Sequence, residues 1–86
     1  MARRERATIL AALLLAVEEG HVAGHGITRV ASRANLPYDR TTSYLGELAA
    51  AGLVTRGPAP ALTDDGKEAL RRYQEWAEVM GRFGLE

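Results

Sequence analysis

Eighty-six residues with a formal net charge of zero and no cysteine make one small domain, without disulfides or zinc–cysteine sites. So short a chain buries only a modest core, so a second stabilising device is expected, and the missing cysteine fits a reducing, cytoplasmic setting. The longest apolar run, 9–17, falls well short of the ~20 residues of a bilayer span, and Glu18-Glu19 with no small-residue cleavage site behind it argues against a signal peptide.

Four helices and one short hairpin are predicted in chain order. The first helix covers residues 3–19, with Ile9, Leu10, Leu13, Leu14 and Val17 at the i, i+3, i+4 spacing of a core-facing stripe. Gly20 is expected to end it, and "HVAGHG" to form a loop, because Gly24 and Gly26 break regularity. The second helix covers 28–34, capped by the Thr28 hydroxyl. Val30, Ala31 and Ala34 point inward there; Arg29, Ser32 and Arg33 point to water. Asn35 suits the left-handed residue that closes a helix, and Leu36-Pro37 makes the turn.

The third helix covers 38–51. At 100° per residue, Thr41, Leu45, Leu48 and Ala49 share one side with Gly52, and Tyr44 sits at its edge. Asp39, Arg40, Ser43, Glu47 and Ala50 share the other. Small residues on that outer face (Ser43, Gly46, Ala50) permit close approach to a surface. Residues 53–56 read as a strand, 57–60 as a tight turn and 61–62 as a return strand. Thr63 caps the fourth helix, with Asp64 and Asp65 near its positive end. On that helix Ala69, Leu70, Tyr73, Trp76, Ala77, Met80 and Phe83 occupy an arc of roughly 140°. Glu68–Arg72 and Glu78–Arg82 have the favourable i, i+4 order.

Helix, short helix, turn, helix, hairpin, helix is the order of a winged helix-turn-helix, in which the third helix enters the major groove of DNA. "ITRVASRANLPYDRTTSYLGELAAAGLV" followed by "LTDDGKEALRRYQEW" resembles an archaeal winged helix-turn-helix DNA-binding family. The matching residues are Thr28, Arg29, Val30, Ala34, Asn35, Leu36, Tyr38, Tyr44, Leu45, Leu48, Gly52, Leu53, Leu62, Thr63, Gly66 and Lys67. The resemblance covers about residues 27–76. It implies a mainly α fold with a short β-hairpin, divided into a core at 1–62 and a C-terminal helix at 63–84. It also implies homodimerisation through that helix as an antiparallel coiled coil. Residues 85–86 read as a candidate cloning remnant. Three departures stand out: Pro37 where the family commonly places a serine cap, a longer loop at "HVAGHG", and a short wing, "GPAP", without a basic tip.

The expected partners are double-stranded DNA and a second copy of the chain. The DNA candidates are Arg29, Arg33, Asp39, Arg40, Thr42, Ser43 and Arg56. Arg40 suits a bidentate pair with a guanine edge, with Asp39 orienting it. The dimer candidates are Tyr73, Trp76, Ala77, Met80 and Phe83. Residues 1–56 carry seven arginines against five acids, and 57–86 carry four basic residues against six acids. Charge alone therefore does not point to nucleic acid. A protein-docking module built on the same fold is the alternative. His21 and His25 stand at i, i+4 near Glu18, but the surrounding glycines and the lack of a third strong ligand leave no metal site expected. No cysteine nucleophile or phosphate-binding glycine loop marks an enzyme, Ser32 and Ser43 have no evident His and carboxylate partners, and no cofactor is expected.

Overall fold

A helix apolar on nearly all sides must lie at the centre of a small protein, and the first helix takes that place. The computed structural model describes residues 6–24 and 26–84. Within them lie α1 (Arg6–Ala23), α2 (Ile27–Ala34), α3 (Tyr38–Ala50) and α4 (Asp64–Arg82). α1 buries Ala11, Leu13, Leu14, Ala16 and Val17 and packs against both α2 and α4. Around it the core is completed by Val30 and Ala34 of α2, Leu45 and Leu48 of α3, then Val54, Leu62 and Leu70. No described helix is long and apolar enough to cross a membrane.

α1 does not stop at Gly20. It continues to Ala23, and the chain turns at Gly24 (φ 73°). Gly20 is buried, so packing against the rest of the fold offsets the roughly 1 kcal/mol that a mid-helix glycine costs. Residues 3–5 of the expected helix lie outside the described residues, as does His25. Thr28 is not the cap of α2. Gly26 holds that position without a side-chain bond, its carbonyl accepting from the Val30 N–H at 3.1 Å, because Ile27 is drawn into the helix to pack on the core.

The α2–α3 turn follows from two residues. Asn35 is left-handed (φ 57°, ψ 48°), and the Leu36 N–H donates to the Ala31 carbonyl at 3.0 Å, closing α2 as a Schellman turn. Pro37 then starts α3 with its φ near −61°, and its carbonyl accepts from both the N–H and the hydroxyl of Thr41, each at 3.0 Å. Thr41 is fully buried, so this second bond satisfies a hydroxyl that would otherwise be costly inside. At the far end, Gly52 (φ 80°) lets the Leu53 N–H reach the Leu48 carbonyl at 2.9 Å.

The hairpin is reduced to a single antiparallel bridge, Val54 to Leu62. Its two bonds run from Thr55 N–H to Ala61 O (2.8 Å) and from Thr63 N–H to Leu53 O (3.0 Å). Pairing cannot extend either way. The Leu53 N–H is spent on capping α3, the Ala61 N–H is taken by the Thr55 hydroxyl at 3.0 Å, and Pro60 has no N–H to give. The mainly α class stands, with a bridged wing in place of a β-hairpin.

Thr63 caps α4 as its position suggests. Its hydroxyl accepts from the Gly66 N–H at 3.0 Å and donates to the Gly52 carbonyl at 2.6 Å, tying α4 to the end of α3. Along the outer face, Glu68 receives Arg71 at 2.6 Å and Arg72 at 2.8 Å. Arg71 also reaches Glu75 at 2.6 Å, and Arg82 reaches Glu78 at 3.5 Å. Hydrogen bonds from Arg71 and then Arg72 hold the Glu68 carboxyl at a pKa of about 2. A carboxylate whose folded pKa is depressed stabilises the fold above its unfolded value and loses that contribution as pH falls through the folded value. Glu68→Gln is therefore expected to flatten part of the stability loss between about pH 4.5 and pH 2. The difference shrinks at high salt because these groups are exposed. Denaturant titrations at several pH values, in low and high salt, measure it.

Candidate nucleic-acid interface

α3 is built with an apolar back and a small, polar front. Thr41, Leu45 and Leu48 are buried, which fixes the rotation of the helix. Asp39, Ser43, Gly46 and Ala50 consequently form an exposed outer ridge. Arg40 lies on one flank of that ridge and Thr42 on the other, about 160° apart at 100° per residue.

On the first flank, the Arg40 guanidinium donates to the Tyr44 hydroxyl at 3.4 Å and lies 6.0 Å from the centre of its ring. Arg6, in the first turn of α1, approaches the same ring at 5.9 Å and pairs with Glu47. On the second flank, Thr42, Gly46 and Ala49 of α3 border an open groove of about 170 Å³. Ile27 of α2 and Thr55, Arg56 and Gly57 of the wing close its other side. The Thr42 hydroxyl donates back to the Asp39 carbonyl at 2.9 Å, so it is directed along its own helix.

The DNA candidates thus separate into groups. Asp39 and Ser43 stand on the ridge, with Arg40 beside them. Thr42 and Arg56 share the groove. Arg29 is exposed in the first turn of α2, and Arg33 is held by Glu19 of α1 at 2.6 Å. That bond ties up one expected phosphate contact. The sequence leaves Arg6 in a basic terminus as able to reach the DNA backbone as to fray, Tyr44 as a packing residue with a polar rim and Glu47 on the outer face of α3, and does not bring the three together. The i, i+4 spacing of Arg40 and Tyr44 was a usable signal; Arg6 and Glu47 are forty-one positions apart and left none.

The dimer candidates divide as well. Tyr73 faces α1: its hydroxyl donates to that of Thr8 at 3.4 Å, and its ring lies 5.8 Å from that of Trp76. Ala77 and Met80 are half-buried. Trp76 is 53% exposed and Phe83 71%, so the far half of α4 carries apolar side chains past the edge of the core. His21 is exposed in the last turn of α1. Among the described residues, no group of three or more His, Asp or Glu side chains could hold a metal ion.

No curated protein matches the chain. The profile of the winged helix-turn-helix family matches residues 3–81, a span that takes in α1, α2, α3 and nearly all of α4. With the turn at Asn35, the buried back of α3 and the bridged wing all in the places this architecture requires, the chain belongs to the winged helix-turn-helix family.

Proposed function

We propose that the protein binds double-stranded DNA as a cytoplasmic transcription regulator or chromatin-associated factor, laying α3 in the major groove and acting by binding rather than catalysis. The outer ridge of α3 carries the reading. Its side chains are small or polar and exposed, while the back of the helix is locked by Thr41, Leu45 and Leu48. Arg29, Arg40 and Arg56 supply the positive charge, and no ion pair engages them among the described residues. Arg33 joins them when phosphate displaces Glu19.

The proposed assembly is a homodimer through α4. Trp76, Val79 and Phe83 are exposed. The helix begins with Asp64 and Asp65 and ends with Arg82, so an antiparallel partner copy sets acid against base and opposes the two helix dipoles. Sedimentation of the free protein tests this directly: Phe83→Ala with Trp76→Ala returns it to monomer.

The test of DNA binding is its salt dependence. Neutralising about three phosphates per subunit makes log K fall against log salt with a slope of about −2.7 per subunit, or about −5 for the dimer. Arg40→Ala lowers affinity by about 1–3 kcal/mol for a preferred site if it reads a guanine edge. A slope near zero would remove the mechanism. The balanced charge and the arginines held by Glu19 and Glu47 favour a second reading, a protein-docking module. Loss of duplex binding in Arg40→Ala supports the regulator, while a protein-partner complex that the substitution leaves unchanged supports that rival.

A further inference from the structure

Guanidiniums from two different helices lie against one aromatic ring. Each is held at that ring by its own partner. Arg6 and Arg40 lie 5.9 and 6.0 Å from the Tyr44 ring centre, at the outer limit of a cation–π attraction. Arg40 is further held by the Tyr44 hydroxyl at 3.4 Å, and Arg6 by Glu47. Tyr44 is only partly buried and packs on the core, so the ring is a fixed support and not a swinging side chain. Both arginines stay exposed.

The charge balance on this flank is favourable to an anion. Among the described residues, Glu47 is the one carboxylate paired there. Asp39, the neighbour of Arg40, belongs to the outer ridge. Among the described residues, two guanidiniums against one carboxylate leave a net positive site, and a guanidinium offers the planar fork that matches phosphate oxygens. The carboxylate of Glu47 already occupies part of the Arg6 fork and marks where an oxyanion sits.

From this geometry we infer that Arg6 and Arg40, supported on Tyr44, form a phosphate-binding site that couples the start of α1 to the flank of α3. The inference rests on the DNA-binding reading for the source of the phosphate, a duplex backbone. Tyr44 acts as a positioning residue: it sets the two arginines and itself touches no phosphate. An incoming phosphate replaces Glu47 at Arg6, and α1 thereby fixes the angle at which α3 approaches the groove.

The test combines two titrations of the full chain followed by the arginine Nε–H signals, one with a short random duplex and one with inorganic phosphate. In the duplex arm, the Arg6 and Arg40 signals move together. The Arg6→Ala variant loses about one unit of salt slope. Tyr44→Phe keeps the slope and Tyr44→Leu loses it at unchanged helix content, a rescue that a packing role alone does not produce. If the parent binds duplex while the Arg6 signal stays still and Arg6→Ala keeps the full slope, the site is overturned and the DNA reading stands. If the parent fails to bind duplex, the DNA reading falls and the phosphate arm decides. Joint movement of both signals there upholds a phosphate site fed from another source, and still signals overturn it.

Discussion

Gly66→Ala is expected to cost about 3 kcal/mol of folding stability, combining roughly 1–3 kcal/mol of overpacking with a damaged helix cap. A Cβ at this position meets the Leu53 carbonyl oxygen at 1.9 Å and its carbon at 3.0 Å. Both are backbone atoms, so no side chain can swing aside. The Leu53 carbonyl is also fixed by the Thr63 N–H at 3.0 Å, within the bridge that closes the wing. α4 must therefore shift outward by more than an ångström. That shift pulls on the bond from the Gly66 N–H to the Thr63 hydroxyl and, through it, on the 2.6 Å bond to the Gly52 carbonyl. Alanine is the better helix former by about 1 kcal/mol, but that gain is smaller than the sum of the losses. A loss of this size lowers the midpoint by about 15 °C in a domain of this length. Thermal and urea melts read it. An unchanged melting temperature would show that α4 does not sit this close to the α3–wing junction.

The same close approach shows what a single sequence can and cannot disclose. The buried faces of α3 and α4 were legible because the spacing of Leu45, Leu48 and Leu70 reflects helix geometry alone. Asn35 and Thr63 were legible because their roles are local: one closes a helix and the other opens one. Gly20 misled because glycine usually ends a helix, and only burial against the rest of the fold decides otherwise. Thr28 misled because a hydroxyl at a plausible cap position loses to Ile27 entering the core one residue earlier. The hairpin failed because its N–H groups have better partners in α3 and in the Thr55 side chain, a competition set by tertiary position. On the candidate interface, the polar front of α3 was readable from periodicity. The ion pairs Arg33–Glu19 and Arg6–Glu47 were not, since they join residues on different helices. They matter because each engages a cation of this surface in a chain whose net charge is zero.

Gly46 makes the opposite case from Gly66, and its substitution separates folding from function. It sits inside α3, is exposed, and has nothing within 4 Å of where a Cβ would be. Its backbone is ordinary helix, so its own molecule gives no steric reason for glycine, which costs about 0.5–1 kcal/mol there. Gly46→Ala should therefore stabilise the protein by about that amount, seen as a higher melting temperature. The position lies between Ser43 and Ala50 on the outer ridge and borders the groove that also holds Arg56. A surface pressed against this ridge has to come within backbone distance of it. Gly46→Glu places both bulk and a negative charge at that point and neutralises Arg56 across the groove. Duplex affinity at low salt should drop tenfold or more, which is about 1.4 kcal/mol or more, while the fold is no less stable than the parent. Stability rising as affinity falls is the signature of a helix kept smooth for a partner and not for its own core. If Gly46→Glu binds duplex as well as the parent, α3 does not enter the groove on this face, and DNA contact through the ridge is lost as an explanation.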